Sequence, residues 1–122
     1  MDAGTHFLAV EVDEMQHSGY DRSCEMTRMY EIAQDCGMPT TFIRWNPDKW
    51  CVQGLCQEDD MQTRLEALEK VVQREVVSPP RTGYFVDVLW MYYDDKDIGC
   101  RQSIQCGGQV EVKGEVTHKG SL

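Results

Sequence analysis

Three short runs rich in β-branched and aromatic residues, HFLAVEVD at 6–13, TTFIRW at 40–45 and YFVDVLWMYY at 84–93, are kept apart by two long stretches with helical periodicity. The runs read as strands, and the stretches between them are long enough for crossover helices. The first run ends in charge, as a buried strand does when its C-terminal end emerges at a working edge. In the first gap, Met26, Met29, Tyr30, Ala33 and Cys36 form a helical stripe that Gly37 and Pro39 close. In the second, the acidic start at Asp59 or Asp60 predicts a helix with Met61, Leu65, Leu68 and Val72 on one face, ended by Ser78-Pro79-Pro80.

The turn Asn46-Pro47-Asp48 stops the second strand, because proline lacks the amide a strand needs and pushes the residue before it toward an extended conformation. The third run, ended by Asp94-Asp95-Lys96-Asp97, is the most strand-like and belongs in the middle of the sheet. The order β-α-β-α-β predicts an α/β fold, a sheet of three or more strands, mainly parallel or mixed, with flanking helices. A single domain over 1–97 is expected. Residues 98–122, with five glycines and only Val110, Val112 and Val116 in alternation, read as a loose tail or an edge strand.

Charge narrows the function. Residues 1–60 hold 4 Lys/Arg against 12 Asp/Glu, and residues 61–122 hold 8 against 9, so nearly all of the net −9 lies in the first half. A surface of that sign repels phosphate backbones and argues against non-specific coating of nucleic acid. It suits a divalent cation. No apolar run reaches the roughly 18 residues that cross a bilayer, and the acidic start lacks the layout of a signal peptide, so an intracellular, membrane-free setting is expected. In that setting Cys24, Cys36, Cys51, Cys56, Cys100 and Cys106 read as mostly reduced thiols, and they lack the paired close spacings of a zinc site.

The stretch Glu11-Val12-Asp13-Glu14-Met15-Gln16-His17 carries the chemistry. Side chains alternate along a strand, which puts Glu11 and Asp13 on one face about 7 Å apart, within reach of one cation. Two hard oxygen ligands suit Mg²⁺ or Mn²⁺. Glu14 and His17 follow where the chain leaves the strand, and His17 has the pKa range of a general acid or base. The same string also fits a solvated strand end with no metal. A nucleotide-binding domain ranks lower, since no glycine-rich loop follows any of the strands.

The segments AVEVDEMQHSGYDRSCEMTRMYEI, TTFIRWNPDKW and VDVLWMYYDD resemble the pattern E-x-D-E-x-Q-H, Y, C-E-x-x-R, helix, F-I-R-(F/W)-N-P-D of a group of nucleases from large DNA viruses and protists. That group lies within the restriction-endonuclease-like PD-(D/E)XK superfamily, and the resemblance spans residues 6–95. More distantly, the acidic strand end followed by histidine is similar to the very-short-patch repair endonucleases. The resemblance implies a metal-dependent phosphodiesterase acting on DNA. Glu11 and Asp13 would hold the metal, and His17 would manage the proton. Arg28 and Arg44 would steady phosphate oxygens, with Glu14, Gln16, Asn46 and Asp48 lining the site.

Two departures stand against this. Asp13 occupies the place where the superfamily has lysine. The superfamily's upstream metal-binding aspartate has no counterpart either, because Asp2 in MDAGT reads as part of a hairpin. The expected alternative is a core lacking its first elements: a non-catalytic remnant or partner-binding α/β module, prone to self-association through an exposed sheet edge.

Overall fold

The computed structural model describes residues 1–14, 22–79, 84–94, 100–105 and 110–116. Its elements are β1 (Phe7–Val12), α1 (Arg22–Cys36), β2 (Thr40–Trp45), β3 (Cys51–Val52), β4 (Leu55–Cys56), α2 (Met61–Val76), β5 (Tyr84–Met91), β6 (Cys100–Gln105) and β7 (Val110–Val116). The fold is α/β with a mixed sheet in the order β1-β2-β5-β6-β7, beside a small hairpin β3-β4. β1, β2 and β5 run parallel, and β6 and β7 extend the sheet antiparallel. As its composition predicts, β5 is the central strand.

The helices cover opposite faces. On one, Met29 and Ala33 of α1 pack with Phe42, Val86, Val88, Trp90 and Tyr93, and Met26 and Tyr30 complete the predicted stripe. α1 ends at Gly37, whose positive φ of 72° lets its amide turn back to the Ala33 and Gln34 carbonyls. On the other face, Val71 of α2 packs with Leu8, Ile43, Trp45, Leu89 and Met91. Asp60 caps α2 as expected, its side chain accepting the Thr63 amide at 2.7 Å.

The face that α2 buries keeps Leu68 and Val72 of the predicted stripe, which pack against the core, but is rotated away from the other two. Met61 and Leu65 are exposed, and the buried positions are Arg64, Val71 and Glu75. Polar anchors set that rotation. Arg64 donates to the Asn46 and Asp48 carbonyls and to Asp59, and Glu75 pairs with Arg101.

The stretch after 98, expected as a tail or one edge strand, contributes two strands. β6 (CRQSIQ) lacks apolar alternation because the side chains of Arg101 and Ser103 meet Asp87 rather than hydrocarbon. His6 is buried, with Nε2 at 2.6 Å from the Glu75 carbonyl oxygen. Trp45, Trp50 and Trp90 are buried core aromatics. Asp2 does open a hairpin: it bridges to Phe7 antiparallel, and its side chain accepts the Gly4 amide.

The thiol reading needs correcting for two of the six cysteines. Cys51 and Cys56 form a disulfide across the β3-β4 hairpin, because the turn Gln53-Gly54 sets them directly opposite. Among the described residues, no helix is long and apolar enough to cross a membrane.

Candidate functional site

The predicted strand end is built where β1 and β2 finish side by side, with Glu11 in register with Arg44. Glu11 and Asp13 do project to the same face of the sheet, the one covered by α1. What lies between them is a guanidinium. Arg44 Nε donates to Asp13 Oδ2 at 2.6 Å and lies 3.5 Å from Glu11 Oε2, and its Nη2 donates to Glu25 Oε1 of α1 at 2.9 Å. Arg44 Nη1 is 3.9 Å from the Met29 sulfur, and the guanidinium carbon stands 5.3 Å from the centre of the Trp90 ring. Tyr93, just past β5, donates its hydroxyl to Asp13 Oδ2.

Burial explains why these groups choose one another. Arg44, Asp13 and Glu25 are all buried, and a charge taken out of water is tolerated only when paired and hydrogen-bonded. Burial by itself lowers the pKa of Arg44. The hydrogen bonds that it donates to Asp13 and Glu25, and the charges of those carboxylates, outweigh it and hold the guanidinium above its ordinary value. The guanidinium therefore keeps its charge at neutral pH.

Solvent reaches the cluster at its outer rim. Glu11 is 22% exposed, and Arg28, 46% exposed on α1, donates through Nη2 to both of its carboxylate oxygens at 3.0 Å. Glu14 is exposed just past the strand. Gln16 and His17 lie outside the described residues. Glu11, Asp13, Arg28 and Arg44, singled out from sequence, therefore meet in one cluster, but Arg44 is fully buried and does not present its fork to a phosphate.

Asn46 and Asp48 belong to a separate device. The Asn46 side-chain amide donates to the Asp48, Lys49 and Tyr92 carbonyls, and its oxygen accepts the Asp48 amide, so the NPD turn is fastened to the end of β5. Arg64 tightens the same turn and lies 4.8 Å from the centre of the Tyr92 ring. Burial raises the Tyr92 hydroxyl pKa, the Asp59 charge adds to this, and Arg64 opposes it.

The donor chemistry of Glu11 and Asp13 suits a divalent ion, but their arrangement does not. Asp13 Oδ2 already accepts from a guanidinium and a phenol, and an added dication would face the fixed charge of Arg44 at contact distance. Among the described residues, no group of three or more His, Cys, Asp or Glu side chains is placed to hold a metal.

Sequence reasoning missed Glu25 and Tyr93. Glu25 carried a usable signal, an acid three residues before Arg28 on the same helix. A second buried charge centre, on the α2 face, was missed as well: Arg101 donates to Asp87 Oδ2 at 2.7 Å and Glu75 Oε1 at 2.9 Å, Arg74 pairs with Glu75, and Ser103 donates to Asp87. Burial lowers the Arg101 pKa, but the charges of Glu75 and Asp87 and their hydrogen bonds raise it more. Its signal was Asp87, a lone acid inside the apolar run YFVDVLWMYY. Comparison with family models, with curated proteins and with solved structures finds no match for this chain.

Proposed function

We propose that this chain is a non-catalytic, partner-binding α/β module of the restriction-endonuclease-like type, in which a structural cation replaces a metal at the acidic strand end. One observation carries the reading: the Arg44 guanidinium fills the space on which Glu11, Asp13 and Glu25 converge, and burial fixes it there. Compensated in this way, the buried Asp13 carboxylate joins β1, β2 and the end of β5, with its Oδ2 taken by Arg44 and Tyr93.

The partner surface that fits best is the outer edge of β1. Leu8 turns both its amide and its carbonyl outward, where they pair with Met1, and the two-residue period of a strand turns Val10 and Val12 the same way. The two residues are 43% and 56% exposed. An added strand would pair there, and a second copy of this chain is the simplest donor. Sedimentation equilibrium should then show a concentration-dependent dimer that Val10→Lys weakens; a monomer at every concentration would remove the edge from the account.

A second reading is favoured by a different observation, the meeting of Glu11, Asp13, Arg28 and Arg44 at the C-terminal ends of two parallel strands, where open α/β sheets place ligands. In that reading the chain is a Mg²⁺- or Mn²⁺-dependent phosphodiesterase acting on DNA, with Glu11 and Arg28 as its solvent-side members. Incubating the chain with single- and double-stranded DNA in Mg²⁺ and in Mn²⁺ separates the two. The non-catalytic reading expects intact DNA. Cleavage that disappears in Asp13→Asn would establish the nuclease instead.

A further inference from the structure

We propose that Cys51 and Cys56 form a reversible redox centre, a dithiol and disulfide pair that exchanges with small or protein thiols while the domain stays folded. The pair bridges directly opposed residues of the β3-β4 hairpin, with Cα atoms 3.9 Å apart. Access comes first. Cys56 is exposed, the neighbouring Leu55 is 72% exposed, and Cys51 is half-buried, so an attacking thiolate can reach the outer sulfur.

Independence from the bond comes second. Gln53 and Gly54 have φ of 50° and 79°, both positive as in the tight turn that matches strand twist, and the Gln57 amide donates to the Trp50 carbonyl below the cysteines. The Cys51 amide donates to Asp94, past the end of β5, at 2.7 Å, and Trp50 is buried against Tyr92. Backbone and core contacts therefore hold the hairpin from both ends. Broken, the two thiols stay face to face and reclose readily. The ring they close spans a sequence separation of only 5, so the bond restrains the unfolded chain less than a long-range crosslink does.

The exchange is a two-electron step. A thiolate of the reductant attacks the Cys56 sulfur, and the bond to Cys51 breaks with its electron pair on the Cys51 sulfur, which takes a proton. A second reductant thiolate attacks the reductant's own sulfur in the mixed disulfide and releases Cys56, which is protonated in turn. Two reductant thiols leave as a disulfide, and the protein gains two electrons and two protons.

The experiment uses the full chain in native buffer over a series of reduced to oxidised glutathione ratios, with free thiols alkylated at each ratio. Trypsin releases both cysteines in one peptide, residues 50–64, so Cys36 and the other cysteines do not confuse the reading. The expected result is a peptide that passes from the closed form to the doubly alkylated form as the ratio rises and returns when it falls, with unchanged far-ultraviolet circular dichroism. A pair that stays closed in excess dithiothreitol until denaturant is added would overturn the proposal, and so would a pair that stays open in oxidised glutathione. In Cys51→Ser the partner thiol is missing, and Cys56 should accumulate as a mixed disulfide with glutathione. A Cys56 that resists modification there would also overturn it.

Discussion

The sheet carries a buried charge centre on each face, and the two are built in opposite senses. On the α1 face the cation lies innermost: Arg44 is buried, and the carboxylates lead outward from Asp13 and Glu25 to Glu11, with Arg28 at the rim. On the α2 face the anions lie innermost: Glu75 and Asp87 are buried, and the partly exposed Arg74 and Arg101 cover them. A buried guanidinium carries five donors and keeps its charge, so it can organise several carboxylates at once. A buried carboxylate pair needs its cations delivered from outside, and those keep contact with water.

The comparison orders the consequences of substitution. Arg44→Met should be the most damaging change, about 3–5 kcal/mol by urea denaturation, because it removes the buried cation that pairs with both Asp13 and Glu25. Arg101→Met should cost less, about 2 kcal/mol, since Asp87 keeps Ser103 and Glu75 keeps Arg74. Equal losses in the two variants would break the distinction between an inner and an outer cation.

Arg28→Ala tests the rim. The Arg28 pair with Glu11 is exposed, so a loss of about 0–1 kcal/mol is expected, and the difference from wild type should fade as salt is raised. The smallest effect belongs to the exposed cap of α2, which serves as a surface reference for both centres. The Thr63 amide, by its hydrogen bond, holds the Asp60 carboxyl below its ordinary pKa. A depressed folded value means that the contribution is present above the ordinary carboxylate range and is lost as pH falls through the folded value. Melting curves of Asp60→Asn should accordingly fall less steeply toward acid than those of the wild type.

The parallel core of this fold was legible because its residues follow simple rules. β1, β2 and β5 are apolar runs, α1 keeps its stripe, and Gly37 and Asp60 mark helix ends by their chemistry. Legibility failed wherever a polar partner decided the outcome. β6 falls in a stretch that reads as a loose tail or an edge strand because Arg101 and Ser103 pack against Asp87, and α2 is turned in part from its apolar stripe because Arg64 and Glu75 bind backbone carbonyls and arginine. The β3-β4 hairpin is too short to show a period.

The candidate site divides the same way. Alternation was enough to put Glu11 and Asp13 on one face, and Arg28 and Arg44 were assigned to the same site only through the family resemblance. What stands between the two acids is a matter of register across β1 and β2, which pairs Glu11 with Arg44 and has no signature within either strand alone. The convergence was readable and its occupant was not.

Calorimetric titration of the purified chain with Mn²⁺, beside the Asp13→Asn variant under the same conditions, tests most directly whether a guanidinium has taken the place of a metal. The account predicts the same heats for both proteins, because Asp13 is committed to Arg44 and Tyr93. Stoichiometric binding by the wild type that vanishes in Asp13→Asn would contradict it and return Glu11 and Asp13 to the role of metal ligands.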